Sequence, residues 1–318
     1  MAESETQLAG FIQSAFGQYG NLLERDDIVE LAVRPSGAIW IYLTDGSVSR
    51  AGHLDTAARE RIIRFCATAR GVPVTTEAPI VSTSMPVTRY RFEGVLPPAA
   101  PAALFSIRFH AGILYSIETY LADEVITQPQ ADYLIEAICA RQNILISGGP
   151  GSGKTTFLKM LLGELLKRQQ DQHLVIIEDT PEIWAVNEFT QPHVNATFLQ
   201  TSETTDMIRL LASTLRQKPD RIIVGEVRDG AALAMVKAWN TGNPGGLASI
   251  HANSAAATLP RVESLVREVS TSPLPDVIAE GLDLLAYIEL TPEGRKLKEI
   301  INVKGYEDGQ FITETVAV

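Results

Sequence analysis

Cysteine is nearly missing from this chain of 318 residues, which has only Cys66 and Cys139. Both lie in segments that read as helices, where a small core residue is expected rather than a disulfide partner or metal ligand. The five histidines, His53, His110, His173, His193 and His251, show no paired spacing with cysteine, so a structural zinc site is not supported. Long apolar runs are missing too. None approaches the roughly 20 residues that a membrane-spanning helix needs. Met1-Ala-Glu-Ser-Glu5 is acidic and lacks the basic-then-apolar layout of a signal peptide. A cytoplasmic chain is expected, with any membrane contact peripheral. Basic charge is in deficit, with 27 Lys and Arg against 38 Asp and Glu and a net charge of −11. Binding nucleic acid along a broad surface takes clustered cations, so none is expected, although a local basic patch stays open. No internal repeat or low-complexity tract interrupts the chain.

What remains is a globular composition, 45% hydrophobic, long enough for two domains. Residues 1–112 read as a small α+β domain after a lead-in of about 20 residues. Two β-rich runs between Val29 and Leu43 flank a turn at Arg34-Pro-Ser-Gly37 and predict a hairpin. Thr56–Arg70 has helical spacing and stops at Gly71. Val87–Val95 and Leu104–Phe109 read as strands, with a stiff Pro97–Pro101 turn between them. Residues 113–128 form a linker. Residues 129–318 then alternate strands and helices, the pattern of a parallel α/β sheet. Gln130–Ala140 and Thr205–Arg216 are expected as helices, the latter with Thr205 as its cap. The chain past Ser254 reads as mostly helical until a final strand pair turns at Asp308-Gly309.

The most informative stretch is Asn143-Ile-Leu-Ile-Ser-Gly-Gly-Pro-Gly-Ser-Gly-Lys-Thr-Thr156. A short apolar run leads into Gly148-x-x-x-x-Gly153-Lys154-Thr155, and an apolar-periodic segment from Phe157 to Leu166 follows. That is strand, phosphate loop and helix, the order a nucleoside-triphosphate site needs. Gly149, Pro150, Gly151, Ser152 and Gly153 let the backbone curl until several N–H groups point at one anion. The helix entered at Lys154, Thr155 and Thr156 adds its positive end. Lys154 supplies a mobile cation for the β- and γ-phosphates, and the Thr155 hydroxyl can ligate Mg²⁺. A turn that merely joins a strand to a helix would not carry Lys-Thr at this offset.

Three buried strands end in polar clusters, and ligands of open parallel sheets collect at such carboxyl ends. Leu174–Ile177 ends in Glu178-Asp179, Arg221–Val224 in Gly225-Glu226-Val-Arg228-Asp229, and Leu247–Ile250 in His251-Ala-Asn253. Transfer of a phosphoryl group to water calls for a carboxylate that orients the water. Glu226 is the first choice and can also hold Mg²⁺ through a water. Glu178 and Asp179 are the alternatives, and a solvated loop acid is the blander reading of each. His251 can hydrogen-bond the γ-phosphate, although a lone histidine is as often an ordinary satisfied residue. Arg89, Arg91 and Arg108 fall on strands of the first domain, Arg89 and Arg91 on one face. From the residues alone a solvated strand face is the better account of them.

Taken in order, Gly148–Thr155, Ile177-Glu-Asp-Thr-Pro-Glu182, Leu215–Asp229 and Gly245-Gly-Leu-Ala-Ser-Ile-His-Ala-Asn253 resemble the Walker A, Asp box, Walker B and His box of the type II/type IV secretion traffic ATPases. Lys237-Ala-Trp-Asn-Thr-Gly-Asn-Pro-Gly-Gly246 is most similar to the conjugal-transfer, TrbB-type branch. The likeness is strong over about residues 130–265 and looser before them. It implies a RecA-like P-loop NTPase domain preceded by a PAS-like α+β domain, and an Mg²⁺-dependent ATPase holding ATP between them. It also implies a homohexamer working with an inner-membrane secretion complex, in pilus assembly or substrate transfer. First-domain arginines contact the terminal phosphate in such proteins, and Arg91 and Arg108 match them best. Gly-Glu in the Walker B box is the family's own pattern, so Gly225-Glu226 is no departure. The four-cysteine module and long N-terminal extension of type II secretion members are not seen here. A type IV pilus retraction ATPase is a neighbouring possibility. So, from another class, is a DNA-stimulated helicase or recombinase on the same core, and so is a small-molecule phosphotransferase with the same loop.

Overall fold

A computed structural model of the chain describes residues 2–109, 114–202 and 204–318. Two compact units result: Met1–Gly112 with Thr180–Ala185, and Ile113–Asp179 with Val186–Val318. His110 lies outside the described residues.

The first unit is an antiparallel sheet backed by two helices. Its strands are β1 (Ile28–Val33), β2 (Ala38–Leu43), β3 (Val48–His53), β4 (Ile80–Ser84), β5 (Arg91–Val95) and β6 (Leu104–Arg108), ordered β3-β2-β1-β6-β5-β4. Helices α1 (Ala2–Phe16) and α2 (Thr56–Arg70) pack on each other, and their apolar residues join those of the sheet in one core. Helix α2 has the expected bounds because both stops are local. The Asp55 carboxylate accepts from the Ala58 N–H at 2.7 Å, and Gly71 closes the helix at φ 66°. The expected strand over 87–95 is shorter. Val87 and Arg89 have φ of 65° and 61°, which no strand allows, and the extended run starts at Arg91. Arg89 therefore does not share a strand face with Arg91. It pairs with Glu5 at 3.1 Å and lies 4.7 Å over the Trp184 ring.

The second unit opens with α3 (Ile117–Ala122), inside the expected linker, and α4 (Gln128–Cys139), the latter started by a capping box between Thr127 and Gln130. There follow β7 (Ile144–Gly148), α5 (Lys154–Arg168), β8 (Leu174–Glu178), β9 (Ala196–Gln200), α6 (Met207–Thr214) and β10 (Arg221–Val227). Next come α7 (Ala231–Asn240), β11 (Leu247–His251), α8 (Thr258–Arg267), α9 (Pro275–Gly281), β12 (Leu284–Thr291), β13 (Gly294–Glu307) and β14 (Gln310–Thr315). The sheet order is β14-β13-β12-β7-β11-β10-β8-β9, parallel from β12 through β9 and antiparallel at β13 and β14. Its middle strands are buried on both faces, which is why they read as unbroken apolar runs. Val175, Ile177, Ile222, Val224 and Ile250 face α6 through α9, while α5 packs on β7, β10 and β11.

Three expectations need correction here. The chain past Ser254 is not mostly helical, since β12 pairs in parallel with β7 in the middle of the sheet. The helix expected over 205–216 is Met207–Thr214, capped by Asp206 rather than Thr205, and Leu215 is 49% exposed. Strand β9 had no counterpart in the reading. Cys66 and Cys139 are both free thiols.

The amino ends of the central strands are tied by two polar side chains. The Asn143 amide accepts from the N–H groups of Gly245 and Gly246 at 2.8 and 3.0 Å and donates to the Gly281 carbonyl at 3.1 Å. Arg221, fully buried, donates to the carbonyls of Gly245 and Ile138 at 3.0 and 2.7 Å and to Gln169 and Gln172 at 2.7 and 2.5 Å. Burial lowers its pKa to about 10, so the guanidinium is still charged at neutral pH. Arg221→Ala would strand several buried acceptors at once. It is expected to cost about 3 kcal/mol or more in urea unfolding, and a loss under 1 kcal/mol would refute this role.

Candidate active site

Strand β7 ends at Gly148, and its position leaves no room for a side chain. A Cβ there would stand 2.2 Å from the Ile288 carbonyl oxygen of β12. The chain then turns through Gly151 at φ 72° and Gly153 at φ 94° into α5, so the two glycines supply left-handed backbone where L-residues are strained. The loop is built for an anion and contains one buried polar atom without a protein partner, Ser152 Oγ. Lys154 is 6% exposed. Its ammonium donates to the Gly149 carbonyl at 2.8 Å and to His251 Nδ1 at 3.1 Å.

His251 reaches Lys154 because β11 runs beside β7 in a register that sets His251 opposite Gly148. Strand β10 runs beside β11, and its register shifts between Val224 and Val227. The irregularity falls on Gly225-Glu226 and re-aims the glutamate. The result is a pair between Glu226 Oε1 and His251 Nε2 at 2.7 Å. Glu226 Oε2 pairs with Arg228. Since the Lys154 ammonium can only donate, His251 Nδ1 accepts from it and the ring proton sits on Nε2. Nε2 stands close to Glu226 Oε1, which is nonetheless a buried oxygen without a hydrogen-bond partner. Burial draws the His251 pKa below its ordinary value, and the Lys154 charge draws it further; the Glu226 carboxylate acts the other way.

Glu178 is 3% exposed and packs against Gly225, where a Cβ would stand 3.1 Å from its Cγ. The Asp179 carboxylate accepts from Thr201 at 2.9 Å, and Asp179 lines a cavity of about 460 Å³ with Asp206, Glu226, Arg228 and Asp229. Arg91 and Arg108 belong to the first unit. They are direct cross-strand partners of β5 and β6, with Glu30 opposite Arg108 on the other side. The structure thus joins Lys154, His251 and Glu226 in one contact chain, sets Glu178 behind Glu226's strand, and leaves Asp179 on the β9 side.

The residues fit a nucleotide with Mg²⁺. The loop offers left-handed glycines, a buried lysine and an unpartnered hydroxyl, with Thr155 and Thr156 in the first turn of α5. Among the described residues no three His, Cys, Asp or Glu converge to hold a metal alone. Two participants were not foreseen. Arg228 grips Glu226, and Arg295 lies across the phosphate loop beside Gly153. The first stood in the quoted Walker B stretch without a role. The second depended on recognising β12.

The family model described as "Type II/IV secretion system protein" matches residues 106–293. The chain belongs to that family. Within it, the likeness is to the conjugal-transfer branch. The chain is 42% identical to a probable conjugal transfer protein TrbB of Sinorhizobium fredii, over 98% of this chain and 94% of that one. Among solved structures it resembles the ATPase DotB of Legionella pneumophila, with a TM-score of 0.66, 18% identity and coverage of 94% and 81% of the two chains. It also resembles the pilus retraction motor PilT solved with ADP, with a TM-score of 0.63, 18% identity and coverage of 86% and 80%. These two likenesses concern the fold. No described helix is long and apolar enough to cross a membrane.

The lowered His251 pKa has a direct consequence for stability. The unfolded chain takes up this proton at about pH 6.5, before the folded chain does. Stability should therefore fall as pH drops below about 6.5, and His251→Gln should remove part of that fall. Denaturation midpoints at pH 5 and 7.5 test it; an unchanged difference between the two would count against a neutral, Lys154-bound imidazole.

Proposed function

We propose that this chain is an Mg²⁺-dependent ATPase, hydrolysing ATP to ADP and phosphate to drive a conjugative or type IV secretion system. The observation that carries the reading is the contact chain from Lys154 through His251 to Glu226 at the rim of a phosphate loop. It links the group that grips the terminal phosphates to the group that would orient water.

In this reading the loop amides from Gly149 to Thr156 and the positive end of α5 hold the phosphate tail. Mg²⁺, held by Thr155 and, through water, by Glu226 or Asp179, would neutralise charge on the phosphates. Lys154 turns from Gly149 and His251 toward the terminal phosphates. Glu226 is held in place by Arg228 with His251 alongside, and its Oε1, which lacks a hydrogen-bond partner, would accept from the attacking water. His251 can bond the γ-phosphate through Nδ1 only after Lys154 has left it and the ring has gained a proton. Its position makes phosphate occupancy felt at Glu226. Glu178 is the reserve carboxylate, and Arg91 with Arg108 would neutralise the terminal phosphate from the first domain.

The wider reading is a RecA-like domain, residues 129–318, behind a PAS-like domain, residues 1–112, with residues 113–128 between them. Six copies form a ring at the cytoplasmic face of the inner membrane, where the ring meets the membrane complex. The kinship with conjugal transfer proteins supports work in a conjugation system. Light scattering with a non-hydrolysable ATP analogue should report six subunits; a monomer would defeat it.

Lys154→Ala should abolish turnover. Glu226→Gln should keep nucleotide affinity within about threefold while lowering kcat by about 100-fold or more, in the range typical of lost general acid–base groups. Full ATPase activity in Glu226→Gln would remove that residue from the mechanism.

A further inference from the structure

We propose that Arg295 is a nucleotide-binding residue that holds the inner phosphates of the bound nucleotide from the side of the loop opposite the acids. The assignment rests on the nucleotide reading of the site. Arg295 is the second residue of β13, just past the turn that joins it to β12. A methyl placed on Gly153 would stand 2.8 Å from Arg295 Cδ and 3.1 Å from Nε. The side chain therefore lies along the flank of the phosphate loop, with its guanidinium one bond further on.

The strand order decides which phosphates it meets. Strands β12 and β13 lie on one side of β7, while β11, β10 and β8, which carry His251, Glu226 and Glu178, lie on the other. Bond cleavage at the terminal phosphate belongs to the acid side. A cation arriving from the β12 side, next to Gly153 at the entry to α5, meets the α- and β-phosphates.

The guanidinium is open to an anion. Among the described residues no hydrogen bond or ion pair holds it, and it is exposed beside the phosphate loop and the positive end of α5. A phosphate seated in the loop would gain this cation without breaking another contact. The hairpin is also braced. The Leu297 N–H donates to the Val125 carbonyl at 2.8 Å, and the Lys296 ammonium to the Glu124 carbonyl at 2.7 Å. Tyr120, packed 5.6 Å from Phe157 of α5, feels the Arg295 charge and closes the same wall. Arg295 is thus presented by anchored backbone, which lowers the ordering cost of binding.

A contact to inner phosphates is made equally with ADP and ATP. It should raise KM and leave kcat nearly alone. Titration of the full-length chain with Mg·ADP and with a non-hydrolysable Mg·ATP analogue tests this. Arg295→Ala should weaken both by the same factor, about tenfold for one charge-assisted contact. Arg295→Lys should recover part of the loss, and melting temperatures without nucleotide should match wild type. Unchanged ADP affinity in Arg295→Ala would overturn the proposal, as would a loss confined to the ATP analogue or an equal loss of nucleotide-free stability. If the wild-type chain binds neither nucleotide, the site reading itself fails, a result separable from normal wild-type binding with an inert Arg295.

Discussion

One imidazole stands between a cation and an anion, and the active-site geometry hangs on it. His251 accepts from Lys154 on Nδ1 and sets its Nε2 2.7 Å from Glu226 Oε1. A neutral ring in this setting transmits polarity without adding charge. Three backbone choices set it there. Gly148 lets β12 and β7 approach, the β11 register sets His251 opposite Gly148, and the β10 irregularity swings Glu226 toward it. A one-residue slip in β11 would turn His251 to the other face, since strand side chains alternate. A polyphosphate seated in this loop would compete for Lys154, because a lysine that trades a carbonyl and an imidazole for phosphate oxygens gains charge-assisted bonds. Occupancy of the loop is therefore coupled to the environment of Glu226 through a single shared ring.

The two ends of the sheet handle buried polarity differently. At the amino ends Arg221 and Asn143 are satisfied by several fixed partners, and the neighbouring Gly245 and Gly246 admit no side chain: a Cβ on Gly246 would stand 2.0 Å from the Trp239 ring. Such a network resists movement, because breaking any member strands the rest. At the carboxyl ends the polar groups hold one another in pairs that can be exchanged for ligand. Lys154 rests on a carbonyl and an imidazole, and Ser152 Oγ has no protein partner. Rigidity below and exchangeable contacts above suit a site that must bind, react and release on a fixed frame.

The sequence disclosed the phosphate loop and the strand-end acids because they follow from local pattern: apolar runs of strand length closed by Gly, Glu, Asp or His. It disclosed α2 to the residue, where Asp55 and Gly71 act as local stops. It hid what depends on partners far along the chain. Leu284–Ile288 is a short apolar run that periodicity cannot assign, and only pairing with β7 makes it a strand. Missing β12 concealed the hairpin and therefore Arg295. Ala196–Gln200 is half-buried on the sheet edge and carries little apolar signal. The strand expected from Val87 starts only at Arg91: Val87, Tyr90 and Phe92 favour strands by type, while tertiary contacts, including the Glu5 pair and Trp184, hold Arg89 in a turn.

The competition among three acids can now be argued from their surroundings. Asp179 is engaged by Thr201 on the edge side, and it lines a cavity that Glu226 and Arg228 line as well. Glu178 is nearly enclosed against Gly225, which leaves little of it open to a water. Glu226 is half-buried, with Arg228 on one carboxylate oxygen and His251 beside the other, which has no hydrogen-bond partner. It also touches the residue that touches Lys154. An acid that must stay ionised, remain open to water and sense the phosphates is best served by that third position.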